Sequence, residues 1–335
     1  MTRTTPEQTK LLICIAHPYR QWCAPPSYYG RAQQRWPMMR VVNLADYKAI
    51  DGEIGDADIF AGSSLRPQQF ALARKLKWIQ TPSAGVNQLM YPELRNSGVI
   101  VTNARGVHAQ AMSEHALGMI IALARNFPAA VRRQAQHKWA QQELGDEPNM
   151  PRELGGRLVV LVGFGGVGQA VAKIVGPLGM RVWAVTRSGK TDSPLADRVF
   201  PTTQLDEAIA EADFVVLCAP DTPETRNIIG EKELAVMKAT AFLINVARGS
   251  LIDETALMAA LKGGKIAGAA LDVTAVEPLP ETSPLWDCER LFITPHLSAS
   301  SDRLWEREGD LLLENLDRWF SGRPLINLVD LARGY

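Results

Sequence analysis

The sequence predicts an α/β protein with two parallel-sheet domains. Short runs rich in Val, Ile and Leu alternate with helical periodicity along the chain, the pattern of strands buried on both faces and joined by helices. A polar stretch from Gln141 to Gly156, containing Pro and Gly, divides the strands into two series. The first series comprises Leu11–Ala16, Arg40–Leu44, Asp58–Ala61, Trp78–Thr81 and Ile100–Thr102, enough for one small open sheet. Met112, Ala116, Met119, Ile120 and Leu123 then recur at helical spacing and mark a helix over Ala109–Arg125, ended by Asn126-Phe127-Pro128. A second helical segment runs on to Trp139. The second series comprises Leu158–Val162, Arg181–Val185, Phe214–Leu217, Phe242–Asn245, Ala267–Leu271 and Leu291–Thr294, six strands that suffice for a doubly wound sheet. Leu304, Trp305, Leu311, Leu312, Leu316 and Trp319 give a final amphipathic helix over Ser300–Phe320. That helix is expected to return to the first domain, which becomes discontinuous: 1–107 plus 298–335, around a second domain over 108–297.

At 335 residues both domains have room for a buried core. The 36 basic and 36 acidic residues cancel, so no global field favours nucleic acid or an anionic membrane as a partner. The most apolar stretch, Ala116 to Ala124, falls short of the roughly 20 residues a membrane-spanning helix needs. The polar N-terminus leads into Leu11–Ile15 without the pattern of a signal peptide, so a cytoplasmic location is expected. Cys14, Cys23, Cys218 and Cys288 are widely spaced, which suits reduced thiols better than a disulfide framework or a metal site.

Gly163-Phe164-Gly165-Gly166-Val167-Gly168 carries glycines at the spacing of a phosphate-binding turn. Spacing alone is weak evidence. Here the motif follows the strand Leu158–Val162 and opens an apolar helix with Val171, Ala172, Ile174 and Val175, the context that brings a pyrophosphate onto a helix N-terminus. A dinucleotide site is therefore preferred to a merely structural glycine-rich turn. The next strand runs into Val185-Thr186-Arg187-Ser188. A carboxylate at that point would bind the adenosine ribose of NAD, whereas two hydroxyls and a guanidinium suit a 2′-phosphate. NADP(H) is the expected cofactor and NAD(H) the alternative; the plainer reading of Arg187 is a solvated surface residue.

Arg248 in Asn245-Val246-Ala247-Arg248-Gly249, Glu277 in Glu277-Pro278-Leu279 and His296 in Thr294-Pro295-His296 lie after candidate strands of the second domain. Ligands of open parallel sheets gather at such carboxyl ends. Each residue taken singly reads as a turn, a strand exit or a structural histidine. Together, behind a glycine turn, they read as a site. With these motifs, and with Leu271-Asp272-Val273 and Ser83-Ala84-Gly85-Val86, nearly the whole chain resembles the D-isomer-specific 2-hydroxyacid dehydrogenases, in particular the glyoxylate/hydroxypyruvate reductase type.

The resemblance implies two Rossmann-like domains, the substrate domain flavodoxin-like, and reduction of a small 2-oxo acid to the D-2-hydroxy acid. Such a reaction needs a hydride, a proton for the carbonyl oxygen and a cationic anchor for the carboxylate. The family assigns the proton to His296, its orientation and raised proton affinity to Glu277, and the anchor to Arg248. It assigns Asp272 to the nicotinamide carboxamide, although an Asp after a strand also caps turns. Further cofactor contacts fall on Ala219, Pro220, Val246 and Ala247. The backbone amides of Ser83, Ala84, Gly85 and Val86 are assigned to the substrate carboxylate, which would put substrate between the domains.

In the family, the segment corresponding to Gln134–Gln142 crosses a dimer interface. A homodimer is accordingly expected, with Trp139 as an interface or core aromatic, or reaching the neighbouring active site as in some of these reductases. His108, His115 and His137 are read as structural or solvated, with cofactor contact as the lesser alternative. The side-chain pocket is expected around Ser63-Ser64-Leu65-Arg66 and near Trp286. Two other readings compete. One is oxidation of another D-2-hydroxy acid or of 3-phosphoglycerate, weakened because Tyr335 follows the last helix too soon for a regulatory domain. The other is a dehydrogenase-like corepressor or redox-sensing scaffold, against which the retention of Arg248, Glu277 and His296 argues.

Overall fold

The computed structural model describes residues 5–334, and the chain divides into two compact units, Met1–His108 with Ser300–Tyr335, and Ala109–Ala299. In the first unit, strands β1 (Lys10–Cys14), β2 (Arg40–Leu44), β3 (Ile59–Gly62), β4 (Trp78–Gln80) and β5 (Ile100–Thr102) are all parallel, in the order β2-β1-β3-β4-β5. This is the flavodoxin-like order expected of the substrate domain. β1 is buried along its length, and its side chains alternate between two cores. Leu12 and Cys14 pack with Ile50, Phe60 and Ile79, while Leu11 and Ile13 pack with Tyr28 and Trp78. Leu312 and Leu316 of the helix Leu304–Ser321 complete the second core, so the chain's last helix closes this unit. It starts at Leu304 rather than at Ser300, because a turn in which the Leu304 N–H donates to Ser301 O precedes it.

The second unit holds β6 (Leu158–Val162), β7 (Arg181–Thr186), β8 (Arg198–Pro201), β9 (Phe214–Leu217), β10 (Phe242–Asn245), β11 (Gly268–Leu271) and β12 (Leu291–Ile293). All seven are parallel, in the order β12-β11-β10-β9-β6-β7-β8, the doubly wound arrangement. The sheet therefore has one strand more than the six expected. β8 was not anticipated because it is short, begins with Arg198 and ends with Pro201, the composition of an edge strand. The Arg198 guanidinium lies 4.6 Å from the Trp183 ring centroid and 4.8 Å from that of Phe200, which anchors this edge. The other strands differ from expectation only at their ends.

Central strand β6 explains its own sequence. Leu158, Val160 and Val162 enter one core, Val159 and Leu161 the other, and all are at most 1% exposed. A strand covered on both faces has no reason to alternate with polar residues. The helix Ala109–Ala124 packs in the second of these cores through Ala116, Met119, Ile120 and Leu123. Pro128 opens a further helix, Phe127–Ala135, after Asn126 has turned the chain at φ 58°. No helix among the described residues is long and apolar enough to cross a membrane.

Candidate active site

The sheet order reverses between β6 and β9, and the glycine turn leaves β6 at that point. Gly163 has φ 96°, and a Cβ there would lie 2.6 Å from the Ala219 nitrogen, so the turn admits only glycine. A Cβ at Gly168 would meet the Gly163 carbonyl oxygen at 2.2 Å, so the helix Gly166–Val175 can approach the turn only through glycine. Gly165 differs: a Cβ there would meet nothing within 4 Å. Gly165 and Gly166 are exposed, while Phe164 is buried in the core beneath. Open space over a helix N-terminus, floored by glycines, fits the pyrophosphate of a dinucleotide. Ala219 packs against this turn, Pro220 is exposed beside it, and Val246 and Ala247 are buried at the end of β10.

At the end of β7, Arg187 and Ser188 are exposed. The Thr186 hydroxyl is committed to its own turn, accepting the Lys190 N–H and donating to the Lys190 carbonyl, both at 3.2 Å. Arg187 is the one charged group of the three. Its charge also reaches Glu224, whose carboxyl is held below its usual range first by the Thr222 side chain.

Arg248, Glu277 and His296 all stand at the carboxyl ends of β10, β11 and β12. Asn245 is fully buried and holds the turn after β10: its Oδ1 accepts the Ala247 N–H at 3.0 Å and its Nδ2 donates to the Arg248 carbonyl at 2.8 Å. Arg248 is exposed, and its Nη1 donates to the Ala247 carbonyl at 2.6 Å. His296 Nδ1 lies 2.6 Å from Glu277 Oε2, and Glu277 Oε1 accepts the Thr274 N–H at 3.0 Å. The carboxylate is thus fixed at both ends.

The hydrogen bond from Glu277 raises the His296 pKa above its ordinary value, against the effect of burial, with Arg248 also opposing. Burial works against ionised Glu277, but the His296 and Thr274 hydrogen bonds and the charges of His296 and Arg248 outweigh it and hold its carboxyl below its usual range. A carboxylate at Nδ1 keeps a proton on that nitrogen. On a protonated ring the other proton is therefore on Nε2.

Asp272, expected at the nicotinamide carboxamide, is only 2% exposed and has most of its acceptor capacity taken. Oδ1 accepts the Thr294 hydroxyl at 2.6 Å and the Leu297 N–H at 2.8 Å, and Oδ2 accepts the Ser298 N–H at 2.9 Å. The Ser298 side chain adds a further hydrogen bond, so the carboxylate is fully engaged within its own segment. His115 was read from sequence as structural or solvated. Its Nε2 lies 2.9 Å from Thr294 Oγ1, which joins it to this cluster. His108 lies in the first unit, with Nε2 3.3 Å from the Pro82 carbonyl oxygen, while His137 is exposed with φ 55°.

In the first unit, the Asn103 side chain donates to the Ala84 carbonyl at 2.8 Å and the Ala104 N–H donates to Ser83 O at 3.1 Å. These bonds present the Ser83–Val86 loop. Among the described residues, the Ala84, Gly85 and Val86 amides have no hydrogen-bond acceptor. Trp139 is 90% exposed, with its indole N–H on Gln141 Oε1 at 3.3 Å. The four cysteines are unpaired, and among the described residues no group of three or more His, Cys, Asp or Glu could hold a metal ion.

Residues 117–298 match the profile of the D-isomer specific 2-hydroxyacid dehydrogenase family, NAD binding domain. The chain is similar to a glyoxylate reductase of Korarchaeum cryptofilum, 33% identical over 290 residues that cover 84% of this chain and 86% of the relative. It is also similar to a D-3-phosphoglycerate dehydrogenase of Methanocaldococcus jannaschii, 32% identical over 282 residues. That match covers 83% of this chain and 53% of the relative, so the chain spans about half the length of that enzyme. Among solved structures, a D-isomer specific 2-hydroxyacid dehydrogenase from Xanthobacter autotrophicus in complex with NADPH and MES superposes with a TM-score of 0.82 at 29% identity. The superposition covers 97% of this chain and 99% of that one.

Proposed function

The chain belongs to the D-isomer specific 2-hydroxyacid dehydrogenase family of NAD(P)-dependent oxidoreductases, and from that premise we propose that it reduces a small 2-oxo acid, glyoxylate or hydroxypyruvate in type, with NADPH. The observation that carries this reading is the 2.6 Å contact between His296 Nδ1 and Glu277 Oε2 in the glycine-turn unit. It holds a proton ready on His296 Nε2, where a carbonyl oxygen can take it. The exposed Arg248 guanidinium offers paired donors to the substrate carboxylate and polarises the carbonyl. Bound NADPH supplies the hydride. The turn over Gly163–Gly168 would hold its pyrophosphate and Arg187 its 2′-phosphate; the NADPH complex of the Xanthobacter relative supports that preference over NAD(H).

The uncommitted Ala84, Gly85 and Val86 amides support their assignment to the substrate carboxylate. A product of D configuration follows from the family reading. The exposed Phe127, Val131 and Trp139, on one segment of the second unit, support a homodimer built through that surface. The similarity to the archaeal phosphoglycerate dehydrogenase supports a second reading, oxidation of 3-phosphoglycerate or another D-2-hydroxy acid, by the same residues run in reverse.

A spectrophotometric screen of NADPH oxidation against glyoxylate, hydroxypyruvate, pyruvate and larger 2-oxo acids, beside NAD(P)+ reduction with 3-phosphoglycerate, tests the proposal. Fastest turnover is expected with the two smallest polar oxo acids, and His296→Ala should lower kcat by about 10²–10⁴-fold. No turnover with any member, or near-normal turnover in H296A, overturns it.

A further inference from the structure

We propose that His115 is a positioning residue for this reaction: through Thr294 and Asp272 it sets the segment 294–298 that carries His296. The inference rests on the assignment of His296 as proton donor. His115 stands on the helix Ala109–Ala124, in the same unit as β11 and β12, and its side chain is 21% exposed. A threonine hydroxyl has one hydrogen, and Thr294 spends it on Asp272 Oδ1 at 2.6 Å. The 2.9 Å contact from His115 Nε2 to Thr294 Oγ1 must therefore be a donation by the imidazole. The same nitrogen lies 3.4 Å from Asp272 Oδ1. His115 thus loads the oxygen that holds Thr294 and Leu297, and Asp272 Oδ2 keeps Ser298 in place.

What this cluster holds is a backbone that needs holding. His296 has φ 52°, a left-handed conformation that costs a non-glycine residue energy and persists only where the surroundings impose it. Its N–H donates to the Asp272 carbonyl at 2.8 Å and to the Thr294 carbonyl at 3.0 Å. Residues on either side, Thr294 and Leu297, are tied to one carboxylate oxygen. Asp272 can do this because it stays ionised: burial opposes the charge, but the Ser298 and Thr294 side chains and the Leu297 and Ser298 amides outweigh it and keep its carboxyl below its usual range. The donor from His115 reaches Thr294 Oγ1 from a third element. Without it, Thr294 is free to rotate its hydroxyl and the segment 294–298 loosens, while the His296–Glu277 contact, held from the Thr274 side, stays made.

The test compares His115→Leu, which removes the donor at similar volume, with His115→Gln, whose amide nitrogen reaches the position of Nε2, and with Thr294→Val. In H115L, kcat for oxo-acid reduction should fall about tenfold, the effect of losing one hydrogen bond in a charged network. KM for the oxo acid and Kd for NADPH, read by protein fluorescence, should stay within about twofold. The kinetic pH profile should keep its position, because the His296–Glu277 contact is untouched. H115Q should restore most of kcat, and H115L combined with T294V should lose no more than T294V alone. Amide hydrogen exchange over 294–298 should accelerate about tenfold in H115L and return in H115Q. Unchanged kcat and exchange in H115L, equal losses of kcat and NADPH affinity, a shifted pH profile, or multiplicative losses in the double variant would each overturn the proposal. If the wild-type protein turns over no oxo acid, the functional reading fails by itself, and the exchange measurement still decides whether His115 sets this segment.

Discussion

Replacing Glu277 with Gln separates the charge of the pair from its shape. The carboxylate accepts from Thr274 N–H at one oxygen and faces His296 Nδ1 at the other. In the variant, the amide oxygen stays on Thr274 and the NH2 group faces Nδ1, so the contact favours a neutral ring where it favoured an imidazolium. A charge-assisted hydrogen bond contributes about 1.5–3 kcal/mol. With the two side chains 44% and 35% exposed, solvent screening brings this nearer to about 1 kcal/mol, or roughly fivefold in rate. The sign follows from the reaction. Reduction needs His296 protonated, so kcat/KM is high below the folded pKa of His296 and falls as pH rises through it; Glu277 raises that pKa, and E277Q must move the falling limb to lower pH. Profiles of kcat/KM, read from NADPH oxidation at oxo acid well below KM, should coincide at the acid end and diverge to about fivefold at the alkaline end. Superimposable profiles, or a loss that is the same at every pH, would refute the assignment of charge stabilisation to Glu277.

Three further outcomes are expected. Arg187→Ala should lower the ratio of NADPH to NADH specificity about tenfold or more, the effect of removing charge-assisted bonds to a 2′-phosphate; an unchanged ratio takes Arg187 out of cofactor selection. Gly249→Ala should cost about 1–3 kcal/mol of stability by overpacking and reduce kcat with it, since a Cβ there would sit 2.0 Å from the Thr274 carbonyl carbon and drive the Arg248 turn away from the Glu277 loop; wild-type melting and kinetics would contradict this. Glu308 is 1% exposed and neither carboxyl oxygen has a hydrogen-bond partner among the described residues, so burial pushes its pKa well above 4.5. An acid with a raised folded pKa is tolerated when protonated and costs stability as pH rises above its unfolded value. Glu308→Met should therefore stabilise by about 1–3 kcal/mol at neutral pH, with the gain shrinking toward pH 4.5 in urea titrations; a gain independent of pH would count against this.

What could be read from the sequence and what could not follow from how far each feature's causes lie along the chain. β6 and the glycine turn were legible because the apolar run, the glycines and the following helix occupy one continuous stretch, each element constraining the next. β8 was not: its burial comes from Trp183 and from the edge position, and neither leaves a mark on Arg198–Pro201 itself. The candidate triad was legible only as a set, since nothing around His296 alone distinguishes it from a structural histidine. His115 had no such company. Its partner Thr294 is 179 residues away and is delivered by the parallel stacking of β11 and β12, which a reading along the chain does not see. Asp272 carried a local pattern, but a local pattern names one role for a carboxylate that here has two oxygens with different loads. Oδ1 takes Thr294 and Leu297, on either side of His296, and Oδ2 takes the Ser298 amide. The division of work between those two oxygens belongs to the topology of the sheet, and it links the segment of the candidate proton donor to the helix that carries His115.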